Sequence, residues 1–136
     1  MRLGELRGGA LHYDPDWQAR PLWLLAAGTG LGPLWGILRE ALRQQHQGPI
    51  RVMHVAREHY LADALEALAR EHDQLQVELI DAEQFQTALA GLRIASRQTV
   101  ALVCGSPASV EQFSRRLFIA GLPRGQLLAD VFLEKT

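Results

Sequence analysis

The residues best suited to chemistry lie in two short turns. The first is Gly28-Thr29-Gly30-Leu31-Gly32-Pro33, set between an apolar run ending at Ala27 and an amphipathic run from Leu34. Glycine has no Cβ, so a ligand can approach its amide closely. A helix opening near Pro33 starts with amides that lack intrahelical partners. Those amides and the helix dipole attract an anion. Thr29 adds a hydroxyl donor, and the set suits a pyrophosphate. A tight strand-to-helix reversal also needs glycines for steric reasons alone, so the local pattern leaves both readings standing. The stretch is not the dinucleotide fingerprint, because Pro33 stands where G-x-G-x-x-G requires glycine or alanine. No Gly-Lys-Ser/Thr follows, so it is not a P-loop. A methyltransferase-type glycine loop predicts an acidic residue ending the second strand, where Arg57 stands instead.

The second turn is Cys104-Gly105-Ser106-Pro107. It too ends an apolar strand-like run, passes a glycine and opens a helix with proline. Two such turns gain meaning from the elements around them. Runs of strand length occur at Pro21–Ala27, Ile50–Ala56, Leu75–Ile80, Thr99–Cys104 and, more weakly, Gln126–Phe132. The first and fourth show little alternation, as strands buried on both faces do. Helical stripes alternate with them: Leu34, Ile37, Leu38, Ala41 and Leu42; Leu61, Ala64, Leu65 and Leu68; Phe85, Leu89 and Leu92; Val110, Phe113 and Leu117. Asp81 and Gln84 stand in capping-box spacing before the third stripe. Ser106, Pro107, Gly121 and Pro123 punctuate the fourth. Strict alternation of strand and helix predicts an α/β fold: a doubly wound, five-stranded parallel sheet with helices on both faces. In the strand order 3-2-1-4-5, strands 1 and 4 flank the point where strand order reverses and ligands bind. The two turns then face each other across one crevice.

Composition narrows the function classes. The 136 residues predict one domain. With 48% hydrophobic and 21% charged residues, the chain is of ordinary globular type. A net charge of -1, with no interleaved aromatic and basic patch, argues against nucleic-acid binding. One cysteine makes no internal disulfide and no metal cluster, and no metal site is expected. The N-terminus lacks an apolar signal core, and no apolar run reaches the ~18 residues of a membrane span. A reducing, cytoplasmic setting is the expectation.

Taken together, "AAGTGLGPLWGIL" and "VCGSPASV" resemble the nucleotide-binding half of the ferredoxin-NADP reductase superfamily. That family carries a G-T-G-[IL]-[AT]-P turn after its first strand and a C-G-x-P turn after its fourth. "HVAR", His54 to Arg57, ends the second strand where members often carry arginine, and "LLADVF" is similar to the closing strand. The resemblance spans Pro21 to Phe132, with one departure at Gly32, where alanine or threonine is usual. It implies that Gly28, Thr29, Gly30, Leu31, Gly32 and Pro33 hold the pyrophosphate of NADH or NADPH. Arg57 would lie by the adenosine end, near the ribose 2′ position. Cys104, Gly105, Ser106 and Pro107 would shape the nicotinamide pocket, with Cys104 close to the reactive carbon. Cys104 and Phe132 are the expected catalytic residues, Phe132 and Asp130 lying near the flavin edge.

The resemblance also implies residues outside this chain. Residues 1–20 are expected to be the remnant of a preceding flavin-binding barrel, or an N-terminal arm, with Leu3 to Tyr13 similar to the barrel's last strand. Residues 21–136 are expected to form the NAD(P)H-binding domain. FAD would come from a flavin-binding domain in the same full-length chain or a partner, without which this chain is expected to be inactive. Hydride would pass from NAD(P)H to FAD, and electrons onward to a ferredoxin-like or oxygenase acceptor holding iron–sulfur or haem. A 2Fe-2S cluster elsewhere in the full protein belongs to the same expectation. The rival reading is a non-catalytic nucleotide-sensing or interaction module with the same fold.

Other residues have blander readings. Arg57 does not by itself choose the nucleotide, because guanidinium pairs with a 2′-phosphate and also stacks on adenine. Ala56 rather than serine precedes it, and the first lysine is Lys135, which tilts the expectation to NADH. The five histidines, including His54 and His59, read as surface or core-edge residues. Tyr60 stacks on adenine or packs the core. Trp23 and Trp35 read as sheet–helix packing, and Arg115 and Arg116 as a solvated helix face. Replacing Gly30 with valine is expected to abolish nucleotide binding and leave the domain folded.

Overall fold

The computed structural model describes residues 12–131. Five strands, β1 (Leu22–Ala27), β2 (Ile50–Ala56), β3 (Leu75–Asp81), β4 (Val100–Gly105) and β5 (Leu127–Val131), alternate with four helices. The helices are α1 (Leu31–Arg43), α2 (Ala62–Glu71), α3 (Phe85–Ala90) and α4 (Pro107–Ile119). All strand pairs are parallel, and the order is β3-β2-β1-β4-β5, as the alternation predicts.

The sheet divides the core in two. Leu24, Val52 and Leu102 face α1 and α2, meeting Leu34, Leu38 and Leu65. Leu25, Met53 and Val103 face the other way, onto Leu89, Val110, Phe113 and Leu117 of α3 and α4. Every residue of β4 is buried, which accounts for its unbroken apolar run. α2 lies over edge strand β3, so of its stripe only Leu65 is fully buried. Arg51 stacks over Trp23 at 4.6 Å and pairs with Glu78 at 2.6 and 3.2 Å, and Arg39 lies over Trp35 at 5.9 Å. Both tryptophans pack as the sequence predicts.

Helix starts show where local signals held. Ser106 Oγ accepts the Ser109 amide at 3.3 Å, Pro107 occupies the first turn of α4, and Gly121 ends it at φ 107°. α1 begins at Leu31, two residues before Pro33, because Gly28–Gly30 forms a 3₁₀ turn that runs into it. Pro33 still falls in the first turn, where its missing N–H costs no bond. The capping box at Asp81 does not form. β3 runs on through Asp81, a 3₁₀ turn (Ala82–Gln84) follows, and Gln84 becomes the residue before α3. Arg116 is not merely solvated: it donates to the carbonyls of Ala90 and Leu92 at 3.3 and 3.0 Å, tying α4 to the end of α3. Arg115 pairs with Glu111 in the open, as expected.

At the opposite end of the strands from the glycine turn, the segment before β1 is packed into the domain. Tyr13 and Trp17 are buried edge to face, 5.8 Å apart. His46 Nε2 lies 2.9 Å from the Arg20 carbonyl, which only accepts, so that nitrogen carries the proton. Nδ1 then accepts the Tyr13 hydroxyl at 2.8 Å. The remnant strand expected over Leu3 to Tyr13 lies outside the described residues, save for His12 and Tyr13.

Gly30 sets the spacing of the top of the sheet. Its φ of -64° is open to any residue, so conformation does not require glycine here. Space does: a Cβ would sit 2.5 Å from the Cys104 carbonyl oxygen and 2.9 Å from the Gly105 nitrogen. A Cβ at Gly105 would likewise crowd Ala27, at 3.2 Å. These atoms are backbone or strand-anchored and cannot rotate away. This contact argues against the expectation that valine at Gly30 leaves the domain folded. Gly30→Ala should lower stability by about 1–3 kcal/mol, read as the urea midpoint, and Gly30→Val by more.

His46 yields a pH prediction. Burial pulls its pKa below the ordinary 6.5, against the opposing bond to Arg20. The unfolded chain thus binds the proton more readily, so stability is fully present above pH of about 6.5 and declines as pH falls below it. Urea midpoints measured across roughly pH 5 to 8 should fall on the acid side. His46→Gln should decline less steeply, though not stay flat, because His54 is shifted the same way.

Candidate functional site

The two turns named from sequence meet on one rim, at the C-terminal ends of β1 and β4, through the Gly30 contact. Around it, the expected ligand residues divide by exposure. Gly28, Thr29, Gly32 and Pro107 are exposed, Pro33 and Ser106 are half-buried, and Gly30, Leu31, Cys104 and Gly105 are buried. Gly28 needs its glycine for conformation rather than space: φ is +60°, and nothing lies within 4 Å of a Cβ built there. Gly32 needs neither, since a Cβ would meet only the Tyr60 hydroxyl at 3.8 Å. The alanine usual at that position would fit. The Leu31 side chain belongs to the core beneath the turn, so only its backbone faces the rim.

Two side chains from the end of β2 and the loop after it hold the turn. His54 Nε2 is 2.7 Å from the Gly28 carbonyl, and the Tyr60 hydroxyl donates to the Thr29 carbonyl at 3.3 Å. Tyr60 is 54% exposed, so it does not pack the core as the sequence allowed. His54 is fully buried, beside Ala26 in the β1–β2 register. Burial lowers its pKa most, the bond to Gly28 opposes, and His59 lowers it further. A neutral imidazole results. From sequence alone His54 reads as a core-edge histidine. The available signal was its place: His54 shares a strand face with buried Val52, one turn of chain before Arg57.

Beyond β2 the rim opens into a cavity of about 500 Å³ lined by Arg57, Asp81, Ala82 and Glu83. Asp81 is the register partner of Ala56, which brings a carboxylate beside Arg57. The ion pairs among the described residues join Arg43 to Glu40, Arg51 to Glu78 and Arg115 to Glu111, and none engages Arg57.

At the other end of the rim, Cys104 lies opposite Asp130 in the β4–β5 register. Its side chain is fully buried in the core beside α1, and its carbonyl faces Gly30. Burial first, and the Asp130 carboxylate second, push the thiol up to about 12, against a weaker backbone bond at Gly105. The thiol therefore stays protonated and is no nucleophile. Ser106 Oγ is committed to the α4 cap, donating also to Ser109 Oγ at 3.0 Å. Phe132 lies outside the described residues. Among those described, no group of three or more histidine, cysteine or acidic side chains is arranged to hold a metal, and no helix is long and apolar enough to cross a membrane.

The rim thus carries an exposed glycine turn, a cavity lined by basic and acidic residues on one side and the end of β4 on the other. Comparison with known proteins agrees in fold. The CS-b5R domains of human Ncb5or in the NAD+ form superpose with TM-score 0.74 at 20% identity, covering 91% of this chain and 40% of that one. Flavohemoglobin from Malassezia yamatoensis, with bound FAD and heme, gives 0.74 at 20% identity, covering 98% and 35%. The FAD/NAD binding domain of nitric oxide dioxygenase from Vibrio cholerae gives 0.70 at 21%, covering 83% and 51%. The chain thus spans about half or less of those chains. No curated protein matches it by sequence. A model of the oxidoreductase NAD-binding domain matches residues 24–116, from β1 through most of α4. With the two turns inside that match and joined on one rim, the chain belongs to the oxidoreductase NAD-binding domain family.

Proposed function

We propose that this chain is the NAD(P)H-binding half of a flavin-dependent reductase of the ferredoxin reductase type, and that NADH is its nucleotide. The observation that carries the reading is the joined rim: an exposed Gly28-Thr29-x-x-Gly32 face packed, through Gly30, against the end of β4. The pyrophosphate rests on the turn and the start of α1, where unpaired amides and the dipole favour negative charge. Arg57 flanks the adenosine. Asp81 and Glu83, lining the same cavity, accept the ribose hydroxyls and repel a 2′-phosphate. Gly105, Ser106 and Pro107, with the Cys104 backbone, wall the nicotinamide end, and the enclosed, protonated Cys104 thiol is no competing nucleophile. When bound, the dinucleotide supplies a hydride to FAD held by a flavin-binding domain outside this chain. The family resemblance assigns Phe132, which lies outside the described residues, to the flavin edge. The acceptor beyond it is a ferredoxin-like or oxygenase component with iron–sulfur, such as 2Fe-2S, or haem. Complete burial of Cys104 favours, as a second reading, a module that binds the nucleotide without transferring electrons. A supplied flavin half separates the two: NADH-dependent dye reduction supports the first and its absence the second.

NADH and NADPH titrated separately, followed by backbone amide shifts, test the proposal. NADH should perturb Thr29 to Gly32 and bind at least about tenfold tighter than NADPH, a difference of about 1.4 kcal/mol. In Asp81→Asn/Glu83→Gln that gap should narrow. Absence of binding by either nucleotide would overturn the assignment.

A further inference from the structure

We infer that His54 is a positioning residue for the dinucleotide-holding turn, acting through the Gly28 carbonyl, with His59 selecting the ring tautomer that makes this possible. The inference rests on the nucleotide-binding reading above and assigns a role to a residue that reading leaves idle.

The protonation pattern follows from acceptor chemistry. A carbonyl only accepts, so His54 Nε2 must carry a hydrogen to bond Gly28 at 2.7 Å. Neutral His54 then presents a bare lone pair at Nδ1. His59 Nδ1 stands 3.1 Å from it and donates. The second nitrogen of His59, Nε2, is buried with no hydrogen-bond partner. The two rings cross edge to face at 4.9 Å, and Tyr60 packs on His54 in the same manner at 5.8 Å. One chain of bonds therefore runs from the loop after β2, through a fully buried imidazole, to the first residue of the glycine turn.

What this does to the turn follows from peptide planarity. In a trans peptide the carbonyl and the following N–H point in opposite directions, and the described residues hold no cis bond. Fixing the Gly28 carbonyl on His54 turns the Thr29 amide away from β2. Fixing the Thr29 carbonyl on Tyr60 turns the Gly30 amide likewise. Gly28 sits at φ +60° with open space on its Cβ side, and the Gly28 and Thr29 carbonyls are each held by a side-chain hydrogen bond. A ligand needing those amides finds them already aimed and is spared the cost of ordering a floppy glycine turn.

The test compares His54→Leu, His54→Gln and the wild-type chain. Gln places an N–H donor near the Nε2 position; Leu does not. Gly28 is exposed, so water can replace the lost partner and the Leu variant should stay folded, judged by its urea midpoint. His54→Leu is expected to weaken NADH binding about tenfold, the worth of roughly one hydrogen bond, and His54→Gln to recover most of that loss. Imidazole ¹⁵N shifts should report His54 as the Nε2–H tautomer in the wild type and as a tautomer mixture in His59→Leu. Equal NADH affinity for all three chains, or an Nδ1–H tautomer at His54, would overturn the inference while sparing the nucleotide reading. Should His54→Leu not fold, the Gln variant and the tautomer measurement decide alone: a Gln variant binding as wild type with the Nε2–H form present supports the role, and the Nδ1–H form refutes it. A wild-type chain that binds no dinucleotide removes both proposals together.

Discussion

The approach of Gly30 to the Cys104–Gly105 peptide governs the rest of the molecule. It fixes how closely the start of α1 can lie on the end of β4, and therefore whether two turns far apart in sequence share a rim. No side chain mediates the contact: backbone meets backbone, at a distance a single methyl group would violate. Close-packed interiors transmit such a constraint rather than absorb it. Leu31 and Leu34, immediately beyond Gly30, are buried against the sheet, so the helix they begin cannot shift without opening the core.

The sheet, its order and both faces were legible because period and punctuation agreed. β1 and β4 are unbroken apolar runs, Ser106-Pro107 opens a helix, and strand and helix alternate without exception. Where signals were ambiguous, tertiary structure decided. Asp81 looked like a cap by spacing, yet its backbone was recruited into β3 by pairing with Ala56. Propensity at a helix start is worth little beside an added strand rung. The six-residue α3 is shorter than its stripe of Phe85, Leu89 and Leu92 implied, because Leu92 reaches the core from beyond the helix end.

The glycine turn was legible as a turn and as a ligand candidate, but not in its division of labour. Three glycines that look alike in sequence answer three different needs: conformation at Gly28, space at Gly30 and neither at Gly32. Only contacts reveal that. The histidines show the same limit. His46 and His54 each bond a backbone carbonyl twenty-six residues away in the chain, a separation that no local pattern encodes. Both settle as neutral rings for the same reason, burial beside an acceptor that admits one protonated nitrogen.

The protonated, enclosed state of Cys104 has a practical side. It is the sole sulfhydryl in the chain, and it is sealed inside the sheet. Maleimide or nitroxide reagents attack exposed thiolates, so the native molecule is already blank to them. A cysteine introduced at any surface position would carry a fluorophore or spin label with no background to subtract, and distances measured from it would refer to one known point.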